Sequence, residues 1–205
     1  QNSKIQLEHV HFRIDTLCDE LQLLFEKKTA EKSTRLIIDM HPSLPLVLCG
    51  DAYRLRQILL NLIGNAVKFT SGGKVSIGIE AEEMTGNGFT LKISVTDTGI
   101  GISKEMQSRV FDDFTQAEAG TSRKYGGTGL GLSIVKKLVD LHGGSLSLES
   151  IEGLGTTIAF RLPYQTGNPE MIQQPAVTAE IPDLIKQLKY LIVDDEEYNR
   201  LLFKT

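Results

Sequence analysis

Asn61-Leu62-Ile63-Gly64-Asn65-Ala66-Val67-Lys68-Phe69-Thr70-Ser71-Gly72-Gly73-Lys74-Val75-Ser76-Ile77-Gly78-Ile79-Glu80 changes its hydrophobic period once, at Ser71-Gly72-Gly73. Upstream, Leu55, Ile58, Leu59, Leu62, Ile63 and Ala66 form a wide apolar face at helical spacing, in a stretch that Asp51 opens. Downstream, Val75, Ile77 and Ile79 alternate with small or polar residues, as a half-buried strand requires. A second alternating run, Thr90-Leu91-Lys92-Ile93-Ser94-Val95-Thr96, follows a Gly-containing turn over Met84–Gly88. The two runs read as an antiparallel hairpin.

The same patterns extend in both directions. Toward the N-terminus, Leu17, Leu21, Leu24 and Phe25 predict a helix over Ile14–Lys28 with Asp15 as its N-cap. Arg35–Asp39 is a short β-like run, broken by Pro42 and Pro45. Toward the C-terminus a helix is expected near Lys104–Val110, followed by a Gly-, Ser- and Thr-rich segment over Thr115–Gly131. Another helix, over Leu130–His142, ends at Gly143-Gly144. Two further strands are expected at Ser145–Ser150 and Thr156–Leu162. Helices mixed with antiparallel strands predict an α+β fold, a two-layer sandwich with helices on one face of a mixed sheet. The domain should run from about residue 9 to residue 163, with a polar, proline-bearing linker over 164–187. A new buried strand then opens: Leu191-Ile192-Val193-Asp194-Asp195.

The 205 residues are 40% hydrophobic and carry a formal charge of -4, a balance that speaks against a nucleic-acid surface. Cys18 and Cys49 are isolated and read as reduced core thiols of a cytosolic protein. No apolar run reaches the ~18 residues of a membrane span.

Three segments carry chemistry. Asn61, Asn65 and Lys68 share one helix face. Amide oxygens suit Mg²⁺, which also borrows phosphate oxygens, and a lysine supplies a point charge for phosphate. Plain surface polarity is the alternative. Asp97-Thr98-Gly99-Ile100-Gly101-Ile102 follows a strand directly, so the Asp97 carboxylate can accept from an exocyclic amine while Gly99 and Gly101 let backbone approach a flat ring. An ordinary Asp-Gly turn would look similar. Gly126-Gly127-Thr128-Gly129-Leu130-Gly131-Leu132 opens a helix and offers backbone N–H groups to an anion. It is neither a P-loop nor a Rossmann fingerprint. The aperiodic run before it contains Arg123, Lys124 and Tyr125 and reads as a loop able to cover a bound phosphate.

In this order the segments resemble the catalytic ATP-binding domain of sensor histidine kinases, of the Bergerat-type superfamily shared with gyrase and the related heat-shock chaperones. Asn61–Thr70 is similar to the N box, Asp97–Ile102 to the first glycine box, Phe111-Asp112-Asp113-Phe114 to the F box and Gly127–Leu132 to the second glycine box. The resemblance implies ATP and Mg²⁺ as ligands. It implies Asn65, with Asn61 beside it, at the metal, Lys68 at the phosphates, and Phe69 and Phe114 near the nucleotide. It implies Asp97, Gly99, Gly101 and Ile102 at the adenine, and Thr157 supporting that site through water. It implies Arg123, Lys124, Tyr125, Gly127, Thr128, Gly129, Leu130, Gly131 and Leu132 in the covering segment.

Leu191–Glu196 resembles the first strand of a response-regulator receiver domain, whose acidic pair would be Asp194 and Asp195. The implied parent is a homodimeric hybrid kinase, with residues 1–8 as a linker or the end of an upstream dimerisation hairpin, the hairpin bearing the phosphoacceptor histidine. The domain itself would be cytoplasmic, with room for a parent anchored in the inner membrane. His9 and His11 sit in a β-like run, His41 in a turn and His142 at a helix end, so none fits an H box. Two other readings stay open: a self-contained ATPase, which would need a carboxylate base where Asn61 stands, and a degenerate ATP-binding docking module.

Overall fold

The computed structural model describes residues 6–112 and 131–172. Seven strands and four helices alternate along them: β1 (Val10–Arg13), α1 (Ile14–Glu31), β2 (Arg35–Met40), β3 (Val47–Gly50), α2 (Ala52–Phe69), β4 (Lys74–Thr85), β5 (Gly88–Asp97), α3 (Lys104–Gln107), α4 (Gly131–Leu141), β6 (Ser145–Ile151) and β7 (Gly155–Thr166). A single 3-10 turn, Pro169–Met171, follows. The strands form one sheet in the order β1-β3-β7-β5-β4-β2, with β6 also paired to β7. Only β2 and β4 run parallel, so the sheet is mixed and largely antiparallel, as the sequence predicts.

The alternation fixes which face is covered. Val75, Ile77 and Ile79 of β4, Leu91, Ile93 and Val95 of β5, and Ile158, Phe160 and Leu162 of β7 are buried in one cluster with the helices. Against them lie Leu55, Ile58, Leu59, Leu62 and Ile63 of α2, Leu17 and Leu21 of α1, and Val135 and Val139 of α4. Burying each of these side chains stabilises the fold by about 1.5–3 kcal/mol before entropy is set against it. The opposite face is polar: Glu82 binds both Lys92 and Arg161 there.

α2 is anchored at its start by Asp51, which is 3% exposed. Its Oδ1 accepts the Arg54 N–H at 2.8 Å, Oδ2 accepts the Glu8 N–H at 3.1 Å, and its carbonyl accepts the Tyr164 hydroxyl at 3.1 Å. Such a cap is worth about 0.5–2 kcal/mol.

Four expectations change. α1 starts two residues earlier than a cap at Asp15 requires: Arg13 is the N-cap, and Asp15 sits in the first turn, where its charge favours the helix dipole. The helix expected over Lys104–Val110 is the single turn Lys104–Gln107. β3 was not expected; it pairs antiparallel with β1 and joins β1 to the sheet through β7. β7 runs past Pro163 to Thr166, with Tyr164 4% exposed, so the boundary expected at Pro163 falls inside a strand.

Candidate functional site

The C-terminal half of α2 carries Asn61, Asn65, Lys68 and Phe69, all half-buried. Asn61 Nδ2 donates to the Gln57 carbonyl one turn back at 2.8 Å, which fixes the amide and leaves its oxygen as the outward group. That oxygen faces the first residue of α4. A Cβ on Gly131 would lie 3.0 Å from Asn61 Oδ1 and 3.6 Å from Asn65 Nδ2. Glycine at 131 therefore lets the start of α4 rest directly on the two asparagines. Leu132 beside it packs against the core. The Lys68 ammonium lies 4.9 Å from the centre of the Phe69 ring, a cation–π contact. Burial, and then the nearby charge of Lys32, hold the Lys68 pKa below that of an ordinary lysine.

The end of β5 supplies the second half. Asp97 Oδ1 accepts the Gly99 N–H at 2.8 Å. Burial raises the carboxyl pKa above the ordinary value, and the Gly99 and Thr156 N–H groups oppose the shift. A Cβ on Gly99 would lie 2.4 Å from the Phe69 carbonyl oxygen, so the turn and the end of α2 touch backbone to backbone. The Ile100 N–H reaches the same carbonyl at 3.4 Å. Gly101 has φ +67 and would place a Cβ 2.1 Å from the Ile151 carbonyl oxygen, so only glycine fits. Ile102 N–H donates to Ser150 Oγ at 2.8 Å.

The structure thus brings Asn61, Asn65 and Gly131 together on the α2 face that ends in Lys68 and Phe69, and joins the Asp97–Gly99 turn to that helix through the Phe69 carbonyl, while Gly101 and Ile102 rest on Ile151 and Ser150. Thr157 is not with them. Asp97 pairs with Thr156 across β5 and β7, and Thr96 with Thr157. Side chains alternate, so Thr156, 8% exposed, shares the helix-covered face with Asp97. Thr157 lies on the open face, its hydroxyl 3.0 Å from that of Thr96.

Ser150 and Gln107 were missed by the sequence reading. Ser150 Oγ lies 2.9 Å from both the Gly155 carbonyl and Thr156 Oγ1. Gln107 Nε2 donates to the carbonyls of Ile102 at 2.7 Å and Ser150 at 3.0 Å. The β6–β7 register sets Ser150 opposite Thr156, and Gln107 reaches the Ser150 carbonyl from α3. Phe114, Arg123, Lys124, Tyr125, Gly127, Thr128, Gly129, Leu130, Asp194 and Asp195 lie outside the described residues.

Two half-buried amides stand against the first described turn of α4, the Lys68 ammonium lies over the Phe69 ring on the same helix, and a carboxylate acceptor stands at the end of the neighbouring strand. That arrangement suits a ligand with a donor-bearing planar ring at one end and a polyanion at the other. Among the described residues no three His, Cys, Asp or Glu side chains converge, so a cation here would draw on amide and phosphate oxygens. Those hard ligands fit Mg²⁺. Among the same residues no helix is long and apolar enough to cross a membrane.

Residues 50–166 match the family described as histidine kinase-, DNA gyrase B-, and HSP90-like ATPase. The chain is 37% identical to the sensor histidine kinase AruS of Pseudomonas aeruginosa over 94% of its own length and 19% of that protein. It is 38% identical to the signal transduction histidine-protein kinase BarA of Escherichia coli K12, covering 82% of this chain and 18% of BarA. It therefore spans about a fifth of the length of these relatives. Full-length ShkA, solved in complex with AMPPNP, superposes with a TM-score of 0.67 at 34% identity, over 80% of this chain and 32% of that one. The nucleotide-free catalytic domain of the histidine kinase ThkA gives 0.61 at 30% identity, over 76% of this chain and 95% of that one.

Proposed function

Because the chain belongs to the histidine kinase-, DNA gyrase B- and HSP90-like ATPase family and is homologous to the catalytic domains of sensor histidine kinases, we propose that it holds Mg²⁺–ATP and donates the γ-phosphoryl group to a histidine. The acceptor stands on a dimerisation hairpin of a homodimeric parent. A receiver domain, whose N-terminal fragment is residues 188–205, takes the phosphoryl group onward.

The observation that carries this reading is the amide at Asn61. Its Nδ2 is engaged by the Gln57 carbonyl and its oxygen faces Gly131. An amide cannot take a proton from water, so the site has no general base on α2 for hydrolysis. The γ-phosphoryl instead waits for a nucleophile brought by another domain. As the imidazole nitrogen attacks, its bond to phosphorus forms, the bond to the ADP oxygen breaks and ADP leaves with the electron pair.

Asp97 accepts the adenine amino group and Phe69 flanks the base. Lys68 and the N-terminus of α4 meet the phosphates. Asn65 and Asn61 hold Mg²⁺, which neutralises phosphate charge when bound. The work of the site is positioning and charge neutralisation.

The test incubates the protein with γ-labelled ATP, alone and with a purified histidine hairpin from a related kinase. Acid-labile label on the hairpin and none on this chain is the expected result. Rapid ATP turnover without the hairpin would instead favour the self-contained ATPase.

A further inference from the structure

Lys32 belongs to none of the segments that resemblance singles out, yet it reaches the end of the helix that carries the phosphate lysine. It caps the C-terminus of α1, and Ser33 after it has φ +50, so the chain reverses sharply there. The Lys32 carbonyl accepts the Gly72 N–H at 2.9 Å and the Thr34 hydroxyl at 3.3 Å. Its backbone is thereby stitched to the loop that follows α2. From this anchor the Lys32 ammonium donates to the Val67 carbonyl at 2.9 Å and also to the Lys68 carbonyl.

The last carbonyls of a helix lack intrahelical donors and carry the negative end of its dipole. A lysine in the last turn commonly folds back on them. Here that role is taken by a lysine from another element. The side chain of Lys68 extends over the Phe69 ring instead, on the face that carries Asn61 and Asn65. Two ammonium groups are thus gathered at one helix end, and the charge of Lys32 disfavours that of Lys68. Like charges brought together oppose each other until a polyanion arrives between or beside them.

We propose that Lys32 is a positioning residue of the nucleotide site: by holding the terminal carbonyls of α2 it orients Lys68 toward the triphosphate. The proposal rests on the nucleotide reading above. Calorimetric titration of ATP with Mg²⁺, and of adenosine, tests it on the wild type, Lys32→Met, Lys32→Arg, Lys68→Met and the double variant Lys32→Met/Lys68→Met. Lys32→Met should weaken ATP binding about tenfold, change adenosine binding by less than about twofold, and be largely restored by Lys32→Arg. In the Lys68→Met background the effect of Lys32→Met should shrink to under about twofold.

Equal losses for ATP and adenosine, or the same loss with and without Lys68, would reduce Lys32 to a general helix cap and overturn the proposal. So would wild-type affinity in Lys32→Met. If Lys32→Met fails to fold, as judged by its melting curve, Lys32→Gln takes its place with the same expectations. A wild type that binds no ATP would defeat the nucleotide reading itself; ATP binding that Asp97→Asn abolishes and Lys32→Met leaves intact would defeat this proposal alone.

Discussion

Asp97→Asn should abolish most nucleotide affinity while leaving the empty domain as stable as before or more so. An asparagine often escapes such a test by turning its amide so that oxygen faces the ligand. The geometry closes that escape. Asp97 Oδ1 accepts the Gly99 N–H at 2.8 Å, and Gly99 is packed so tightly on the Phe69 carbonyl that it cannot retreat. Asparagine must keep its oxygen toward Gly99 and present N–H to the adenine amine, or turn and set two donors against each other at Gly99. Either way one charge-assisted hydrogen bond is lost and a donor is left facing a donor, a cost of about 2–4 kcal/mol. That corresponds to roughly 30- to 1000-fold in ATP affinity.

The stability arm has a definite sign. Burial raises the Asp97 pKa in the folded state, so the fold favours the protonated form. That contribution is complete below the unfolded pKa and is lost as pH rises through the folded pKa. At neutral pH the wild type therefore bears the cost of a half-buried charge that asparagine does not carry, and the apo variant should melt at or above the wild-type temperature. Affinity in the wild type should also fall as pH drops through a value above the ordinary carboxylate range, and Asp97→Asn should lose that dependence. Titration calorimetry across pH with parallel melting curves measures all three. ATP affinity within about threefold of wild type would refute the reasoning.

The two threonines of β7 give a parity test by titration: Thr156→Val should weaken ATP binding, while Thr157→Val, on the open face, should leave it unchanged. Tyr164→Phe removes the hydroxyl donated to the Asp51 carbonyl and should cost about 0.5–1.5 kcal/mol in chemical denaturation. Its nucleotide affinity should not change, because Tyr164 lies eight residues along β7 from Thr156, about 26 Å at ~3.3 Å per residue. Gly101→Ala forces a side chain into φ +67 and onto the Ile151 carbonyl; a loss of at least about 1–3 kcal/mol should appear in denaturation, with ATP affinity falling alongside.

What could be read from the sequence was what local periodicity records. α2 and the β4–β5 hairpin each hold a clear period over many residues, and their positions agree with the structure. β1 and β3 are four residues each and find one another across some forty positions, Val10 opposite Gly50; the run at β1 reads as β-like, but β3 has no period long enough to read and nothing local pairs the two. The choice between Thr156 and Thr157 depends on the register of β7 against β5, which no local pattern contains. Ser150, Gln107 and Lys32 escaped for the same reason: each acts on backbone groups far away in the chain. Asn61, Asn65, Lys68 and Asp97 stand out in the sequence as candidates because costly polar groups are conspicuous at the edge of an apolar stripe or at a strand end.

The walls of the proposed base site are main chain against main chain: Gly99 on Phe69, Gly101 on Ile151, and Gly155, whose Cβ would fall 2.0 Å from the Asp97 carbonyl oxygen. Crowding between side chains can be relieved by trimming a neighbour, and lineages drift through such paired exchanges. A carbonyl cannot be trimmed. At these three glycines a lesion has no second-site suppressor among side chains, so the positions change only by reversion or by rebuilding the loops together. The pocket is thereby insulated from the drift that reshapes the surfaces around it.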